Sequence, residues 1–154
     1  MKDLGRLDTG LYFDDLAPGT TFHTGGRTIT EGELVAYVAL TWFTEELFTN
    51  QHDRADYAIA GRPVPASLVF TFAEGLVMHS MNRTGLAFLH TELDVKGPTN
   101  VGDTIYVHVE VIEAREVKNP ERGLIRTRNT VTNAQKETLL IYQPLRLMKR
   151  RPRQ

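Results

Sequence analysis

The chain has 154 residues, of which 41% are hydrophobic and 24% are charged, proportions that are ordinary for one soluble globular domain. Its 18 basic and 19 acidic residues leave a formal net charge of −1, which gives no reason to expect a polyanionic partner such as nucleic acid. The sequence contains no cysteine, so disulfides, thiolate metal sites and a cysteine nucleophile are excluded.

Neither end of the sequence predicts a targeting or membrane-spanning segment. Residues 1–15 mix charge, glycine and aromatic side chains, and no segment reaches the roughly 20 apolar residues that a bilayer requires. We therefore expect a cytoplasmic protein with no membrane partner, and a single domain over residues 1–154. The arm 1–11 and the basic tail 149–154 are predicted to be loosely ordered, because chain ends usually fray in solvent.

In the first half of the chain, the pattern predicts a short strand, one helix and an irregular polar segment. Residues 20–29 are the strand candidate, interrupted by two adjacent glycines. Thr30 and Glu33 have the spacing of a capping box, and apolar residues at helical spacing behind them predict a helix to about Trp42. Residues 44–61 turn polar, and we expect a loop there with one or two short turns.

The segment from Val64 to His79 predicts the central helix of the fold. It begins with prolines at positions 63 and 65, which a helix tolerates in its first turn, and its apolar side chains occupy every face. At about 1.5 Å per residue the helix would be about 24 Å long, too short to cross a bilayer. We therefore expect the rest of the protein to surround it.

The second half of the chain changes to the period of two that is typical of half-buried strands. Candidates cover residues 86–95, 105–112, 124–131 and 139–148, and turn residues separate the last three, as in an antiparallel meander. A curled sheet that wraps one apolar helix gives an α+β domain. Such a sheet leaves a free edge, and we expect a homodimer or a higher homo-oligomer that continues it.

These elements resemble the MaoC-like dehydratases, a branch of the hotdog superfamily that includes the (R)-specific enoyl-CoA hydratases. The similar pieces follow the family's order, and they are residues 12–19, residues 26–31, residues 39–41, Gly61-Arg62, the central helix, residues 97–104 and the final strands. The resemblance implies a single hotdog domain in which a curled antiparallel sheet wraps a long central helix. It also implies that the partner is an acyl (enoyl) thioester of CoA or of a carrier protein, to which water is added or from which it is removed. No separate cofactor is implied, since CoA would be part of the substrate.

The family's usual acid/base pair is an Asp and, five residues later, a His in the loop after the first helix, where they hold the attacking water. Matching residues 39–41 to that helix puts Phe43 at the Asp position and Phe48 at the His position, and neither ring can carry a proton. The His-Gly pair whose backbone amide usually points at the thioester oxygen is replaced by Pro65-Ala66. The resemblance therefore assigns Phe43, Phe48, Pro65, Ala66 and Ser67 to a substrate-binding site that is more apolar than usual.

Glu46 and His52 offer one substitute for the missing pair. Both lie in the same polar loop, and they could rebuild a water-binding acid/base pair if the loop folds back. The alternative is that they are solvated loop residues. The remaining histidines are interpreted as surface, cross-strand or helix-capping residues, and they are His23, His79, His90 and His108.

Glu74 offers another substitute, because a carboxylate on an otherwise apolar helix must be paired, protonated or functional. It stands nine residues after Pro65, which resembles the position of the catalytic carboxylate in the acyl-CoA thioesterases, a different hotdog branch. The structural alternative is a residue at a dimer seam, or one paired with Arg62 or Arg83.

Three functions therefore stay open. The first is a divergent hydratase or dehydratase, and the second is a thioesterase that uses Glu74. The third is a non-catalytic acyl-thioester-binding subunit, which is a sensor or works with a partner that carries the Asp and the His. No metal site, phosphate loop or dinucleotide fingerprint is predicted.

Overall fold

The computed structural model describes residues 1–153, in which one antiparallel sheet packs against a helix. The helices are α1 Glu31–Thr41, α2 Glu46–Thr49 and α3 Ala66–Val77, with short 3-10 turns at Phe13–Asp15 and Met78–Met81. The strands are β1 Thr21–His23, β2 Arg27–Thr28, β3 Gly85–His90, β4 Leu93–Val95, β5 Thr104–Glu116, β6 Arg122–Thr132, β7 Thr138–Tyr142 and β8 Leu145–Lys149. Within the described residues, no helix combines the length and the apolarity needed to cross a bilayer.

The long β5–β6 hairpin forms the middle of the sheet. β1 and β2 pair with the outer side of β5, whereas β7 and β8 lie end to end along β6. β4 then pairs with β7, and β3 pairs with β8. As a result β3 and β4 together form one edge of the sheet, and the predicted antiparallel arrangement is confirmed.

The core lies between α3 and the sheet. The helix contributes Leu68 and Ala73, both fully buried, and the sheet contributes Val107 and Val131, also fully buried. This packing confirms the expected α+β hotdog arrangement. It also corrects one expectation, because α3 is not surrounded on every face. Four residues at helical spacing lie exposed along one side, and they are Ser67, Thr71, Gly75 and Met78.

Three predicted strands are each divided in two. The predicted strand 139–148 breaks at Pro144, because proline has no amide hydrogen for the ladder, although its carbonyl accepts a bond from the Thr127 amide at 3.2 Å. The predicted strand 86–95 breaks between β3 and β4, and the predicted strand 20–29 breaks at its two glycines. The predicted capping box is present, with the Glu33 amide donating to the Thr30 hydroxyl at 3.3 Å.

Parts of both chain ends, which were predicted to be loosely ordered, make hydrogen bonds to the rest of the fold. The Gly10 and Leu11 amides donate to carbonyls of Asn82 and Ser80 at 2.9 and 2.7 Å. In the basic tail, three bonds hold two arginines to neighbouring segments, namely Arg150 N to Glu121 O, Arg151 N to Asp14 Oδ2 and Arg151 Nη2 to Asp15. Gln154, the last residue of the predicted tail, lies outside the described residues.

Candidate functional site

An apolar cavity of about 140 Å³ lies at the N-terminal end of α3. Its walls come from α2 and the loop after it, from the start of α3, from β4 and the turn that follows it, and from β7. The lining residues are Leu47, Phe48, Ile59, Val64, Ala66, Val69, Val95, Gly97, Pro98, Thr99, Leu139 and Leu140. No side chain in this lining is ionisable, so the cavity suits a hydrocarbon chain better than an activated water.

The two phenylalanines of the resemblance lie at this cavity. Phe48 is buried and lines it, and the Phe43 ring packs on Phe48 with the ring centroids 5.5 Å apart and the planes tilted by 52°. Phe43 is 40% exposed and stands behind Phe48 rather than in the lining. The structure therefore brings Phe43, Phe48 and Ala66 to one place, although they are far apart in the sequence.

The start of α3 offers free hydrogen-bond donors beside the cavity. Pro65 is the N-cap residue and is buried, and Ala66 is the first helical residue. Within residues 1–153 the Ala66 and Ser67 amides have no hydrogen-bond acceptor. The Ser67 hydroxyl accepts a bond from the Tyr37 hydroxyl at 2.8 Å. Free amides at a helix N-terminus favour negative charge, so these two could donate to a carbonyl oxygen that develops charge.

Glu46 and His52 do not reach the cavity. Both are exposed, and neither belongs to the lining. Across the part of the chain that the structure describes, no hydrogen bond or ion pair joins their side chains, and the His52 backbone amide donates to Asn50 Oδ1 at 2.8 Å. In this conformation the loop therefore does not assemble the substitute pair.

Two arginines hold the loop over the cavity, and they are Arg54, which the sequence did not single out, and Arg62, which it offered as a partner for Glu74. Arg54 donates from Nη1 to the Leu47 carbonyl at 2.8 Å and from Nη2 to the Ile59 carbonyl at 3.0 Å. Arg62 donates to the Phe48 carbonyl and pairs with Glu31 at the start of α1, with Nη2–Oε1 at 2.8 Å. The hydrogen bond from Arg62 lowers the pKa of the Glu31 carboxyl. Backbone carbonyls are present at every residue, so no pattern of residue types signalled these contacts.

Glu74 is held by Arg146 and Tyr142 rather than by Arg62 or Arg83. Arg146 Nη2 and the Tyr142 hydroxyl both donate to Glu74 Oε1, at 2.5 and 2.7 Å. The side chains of Glu74 and Arg146 are only 15% and 10% exposed. The predicted pairing with Arg62 or Arg83 is wrong because β8 turns Arg146 toward the core, while Arg62 is engaged by Glu31.

The Glu74 cluster extends into the sheet. Tyr142 is fully buried, and burial together with the nearby Glu74 charge raises the pKa of its hydroxyl well above the ordinary value of 10. Thr127 donates to Asn129 Oδ1 at 2.7 Å in the same buried layer. Glu74 does not line the cavity at the start of α3. The cluster is therefore a buried polar network beneath the helix, separate from the apolar cavity.

The histidines on strands occupy positions that fit surface and cross-strand roles. His23 and His108 face each other across β1 and β5 and are both exposed. His90 Nδ1 lies 3.3 Å from Arg126 Nη1. Within residues 1–153, no three His, Asp or Glu side chains are grouped closely enough to share a metal ion.

Comparison with known proteins gives a family and a set of structural relatives. The sequence profile of the family described as FAS1-like, dehydratase domain region matches residues 17–141. The beta-methylmalyl-CoA dehydratase of Chloroflexus aurantiacus is 25% identical over 139 residues, which are 89% of this chain and 40% of that protein.

Two solved structures extend the comparison. A putative MaoC domain protein dehydratase from Chloroflexus aurantiacus superposes with a TM-score of 0.90 at 23% identity, over 96% of this chain and 43% of that chain. Rv0216 from Mycobacterium tuberculosis, described as having a double hotdog fold, superposes with a TM-score of 0.77 at 25% identity, over 94% of this chain and 46% of that chain. The chain thus spans less than half the length of these three relatives. Since the profile covers most of the sequence and the fold is that of the MaoC-like structures, the chain belongs to the FAS1-like dehydratase-region family of MaoC-like hotdog proteins.

Proposed function

We propose that the chain binds the acyl part of an acyl (enoyl) thioester of CoA or of a carrier protein, in the service of hydratase or dehydratase chemistry. The observation that carries this proposal is the apolar cavity that meets the start of α3 at Ala66. A hydrocarbon tail would fill the cavity, and the thioester carbonyl would receive hydrogen bonds from the free amides of Ala66 and Ser67. CoA would act as part of the substrate and not as a bound cofactor, and we place this activity in the cytoplasm.

The acid/base step is proposed to come from outside this cavity. General acid–base groups commonly contribute about 10²–10⁴-fold each, and the lining has no group that can transfer a proton. The two solved relatives carry a further length of chain about as long as this one. A second hotdog unit with an Asp and a His could therefore supply the proton transfers while this chain holds the thioester.

The edge formed by β3 and β4 is the surface that we propose for such pairing, either with a second copy or with a related unit. Its outer residues include Phe88, Leu89 and Val95, which are 46%, 53% and 55% exposed. An unpaired edge with apolar side chains favours association through continued strand pairing.

A thioesterase that uses Glu74 has less support. Oε1 of this carboxylate accepts two hydrogen bonds, and the side chain lies outside the cavity lining. A nucleophilic carboxylate needs an oxygen that can reach the thioester carbon. Among the described residues only Oε2 of Glu74 has no hydrogen-bond donor, and the side chain does not line the cavity in which the acyl chain would bind.

The three functions give different results with crotonyl-CoA and hexenoyl-CoA, when absorbance at the enoyl band and free thiol are followed together. We expect saturable binding with neither signal for the isolated chain. Loss of the band without thiol release would mean that the chain hydrates by itself, and Glu46→Gln or His52→Ala should then abolish the rate if they form the pair. Thiol release that Glu74→Gln abolishes would establish the thioesterase instead.

Binding itself is tested with a variant that fills the cavity. Ala66→Leu places a larger side chain in the lining, and it should weaken butyryl-CoA binding by at least about tenfold, because even one methylene group changes affinity by about that much in an apolar pocket. The matched control is Ala114→Leu on β5, which is partly buried but away from the cavity. Equal affinities for both variants and the unmodified protein, or no saturable binding at all, would overturn the proposal.

A further inference from the structure

Arginine side chains donate the hydrogen bonds that hold the backbone carbonyls in the roof of the cavity. The roof residues Leu47, Phe48 and Ile59 belong to the segment 44–60, which contains just the short helix α2. Within residues 1–153, the backbone–backbone hydrogen bonds of this segment all close local turns, such as Phe48 N to Glu45 O and Tyr57 N to Arg54 O. No backbone pairing therefore fixes the roof to the rest of the fold.

Arg54 joins the two sides of this roof. Its Nη1 and Nη2 atoms donate to the Leu47 and Ile59 carbonyls, and its guanidinium lies over the Tyr57 ring at 4.7 Å from the centroid. A guanidinium is planar and rigid, so two donors on one group fix the distance between the two carbonyls that they bind. Arg62 adds one link to the Phe48 carbonyl and anchors it on Glu31 of α1.

The carbonyls of all three roof residues from this segment are thus held by guanidinium groups, although the side chains that face the cavity are apolar. This division matters because apolar packing has no preferred direction, whereas the hydrogen bonds of Arg54 do. Those bonds fix the distance between the Leu47 and Ile59 parts of the roof, and with it the shape of the roof over the cavity.

We propose that Arg54 is a positioning residue that sets the length of acyl chain the cavity accepts, a proposal that rests on the proposed function. The cavity has about 140 Å³. A methylene group fills about as much space as a water molecule, whose share of liquid water is ~30 Å³, so a cavity of this size suits the tail of a short acyl chain better than that of a long one. Arg54 holds the Leu47 and Ile59 parts of the roof at a fixed separation, and this keeps the roof in the shape that admits short acyl chains.

The test compares affinities for butyryl-, octanoyl- and dodecanoyl-CoA in the full chain and in its Arg54→Met and Arg54→Lys variants. Arg54→Met keeps the aliphatic stem and removes both donors, so the preference for butyryl- over dodecanoyl-CoA should fall by about tenfold. Arg54→Lys keeps one charged donor but not the fork, and it should lie between the two. Arg128→Met is the matched control, because Arg128 is an exposed arginine on β6 that pairs with Glu110 at 3.5 Å.

Amide hydrogen exchange without ligand separates this inference from the proposed function. Arg54→Met should speed exchange across residues 47–59 at least about tenfold and leave α3 unchanged, because the opening is local. Unchanged exchange, or a uniform loss of affinity for all three thioesters, would overturn the role of Arg54. Failure of the unmodified protein to bind any of these thioesters would instead remove the proposed function, and the chain-length selection with it.

Discussion

Breaking the ion pair between Glu74 and Arg146 should strongly destabilise the protein. Arg146→Met removes one donor to Glu74 Oε1 and leaves a carboxylate whose side chain is 15% exposed with the Tyr142 hydroxyl as its remaining partner. Removing one member of a buried ion pair costs about 3–5 kcal/mol. Because both side chains keep some contact with solvent, we expect the lower end, about 3 kcal/mol. For a chain of this size that loss lowers Tm by about 6–12 °C.

A double-mutant cycle isolates the pair. Glu74→Gln keeps an acceptor for Tyr142 while it removes the negative charge, and the double variant with Arg146→Met leaves neither charge in the core. We expect the double variant to be more stable than the sum of the single effects predicts, with a coupling free energy of about 2 kcal/mol. Urea denaturation gives the free energy of unfolding and the m-value for each of the four proteins.

The matched control for Arg146→Met is the same substitution in an exposed ion pair. Arg128→Met removes an exposed pair with Glu110, in which both side chains are more than 40% exposed, and it should change stability by less than about 1 kcal/mol. If the Glu74 and Arg146 effects add to within about 0.5 kcal/mol, the two groups do not interact, and the structural role of Glu74 is wrong.

Three further changes have defined outcomes. The folded protein keeps the Tyr142 proton above pH 10 while the unfolded chain loses it, so urea stability should fall with rising pH by up to about 1.4 kcal/mol per unit, a slope that Tyr142→Phe removes. Phe43 and Phe48 are in contact, with ring centroids 5.5 Å apart, so Phe43→Asp combined with Phe48→His brings an acid/base pair to neighbouring positions and should raise crotonyl-CoA hydration by about 10²-fold or more, whereas Phe43→Asn combined with Phe48→Gln should not. A methyl group at position 10 would lie 2.5 Å from the Ser80 carbonyl oxygen, so Gly10→Ala should cost about 1–3 kcal/mol by urea denaturation, whereas Gly25→Ala meets nothing within 4 Å.

The fold was predictable from the sequence because its main signals are local. The capping box at Thr30 and Glu33 and the period of two along β5 and β6 each depend on residues a few positions apart. The central helix was predictable for the same reason. Its exposed side was missed, although Ser67, Thr71 and Gly75 are small or polar residues at helical spacing and mark that side.

Arg146 could not be predicted as the partner of Glu74, because both faces of its strand, β8, carry apolar residues. In β8 the residues Leu145 and Leu147 alternate with Arg146 and Met148, and the apolar side chains suggest that the leucines face the core. The structure instead buries Arg146 and Met148, since the buried Glu74 supplies the charge that makes a core arginine stable. A contact over 72 residues leaves no local trace in the sequence.

The absence of an acid/base pair and the presence of the arginine contacts have a common physical explanation. An Asp and a His that share a water would hold the loop after α1 by directional hydrogen bonds, as well as doing chemistry. Phe43 and Phe48 keep the two positions in contact, but ring packing alone tolerates sliding and tilting. Arg54 and Arg62 restore direction by binding carbonyls of the same loop, outside the cavity. Under the proposed function, this loop would form a pre-organised acyl site without proton-transfer groups of its own, so binding and catalysis would be separable properties of the loop.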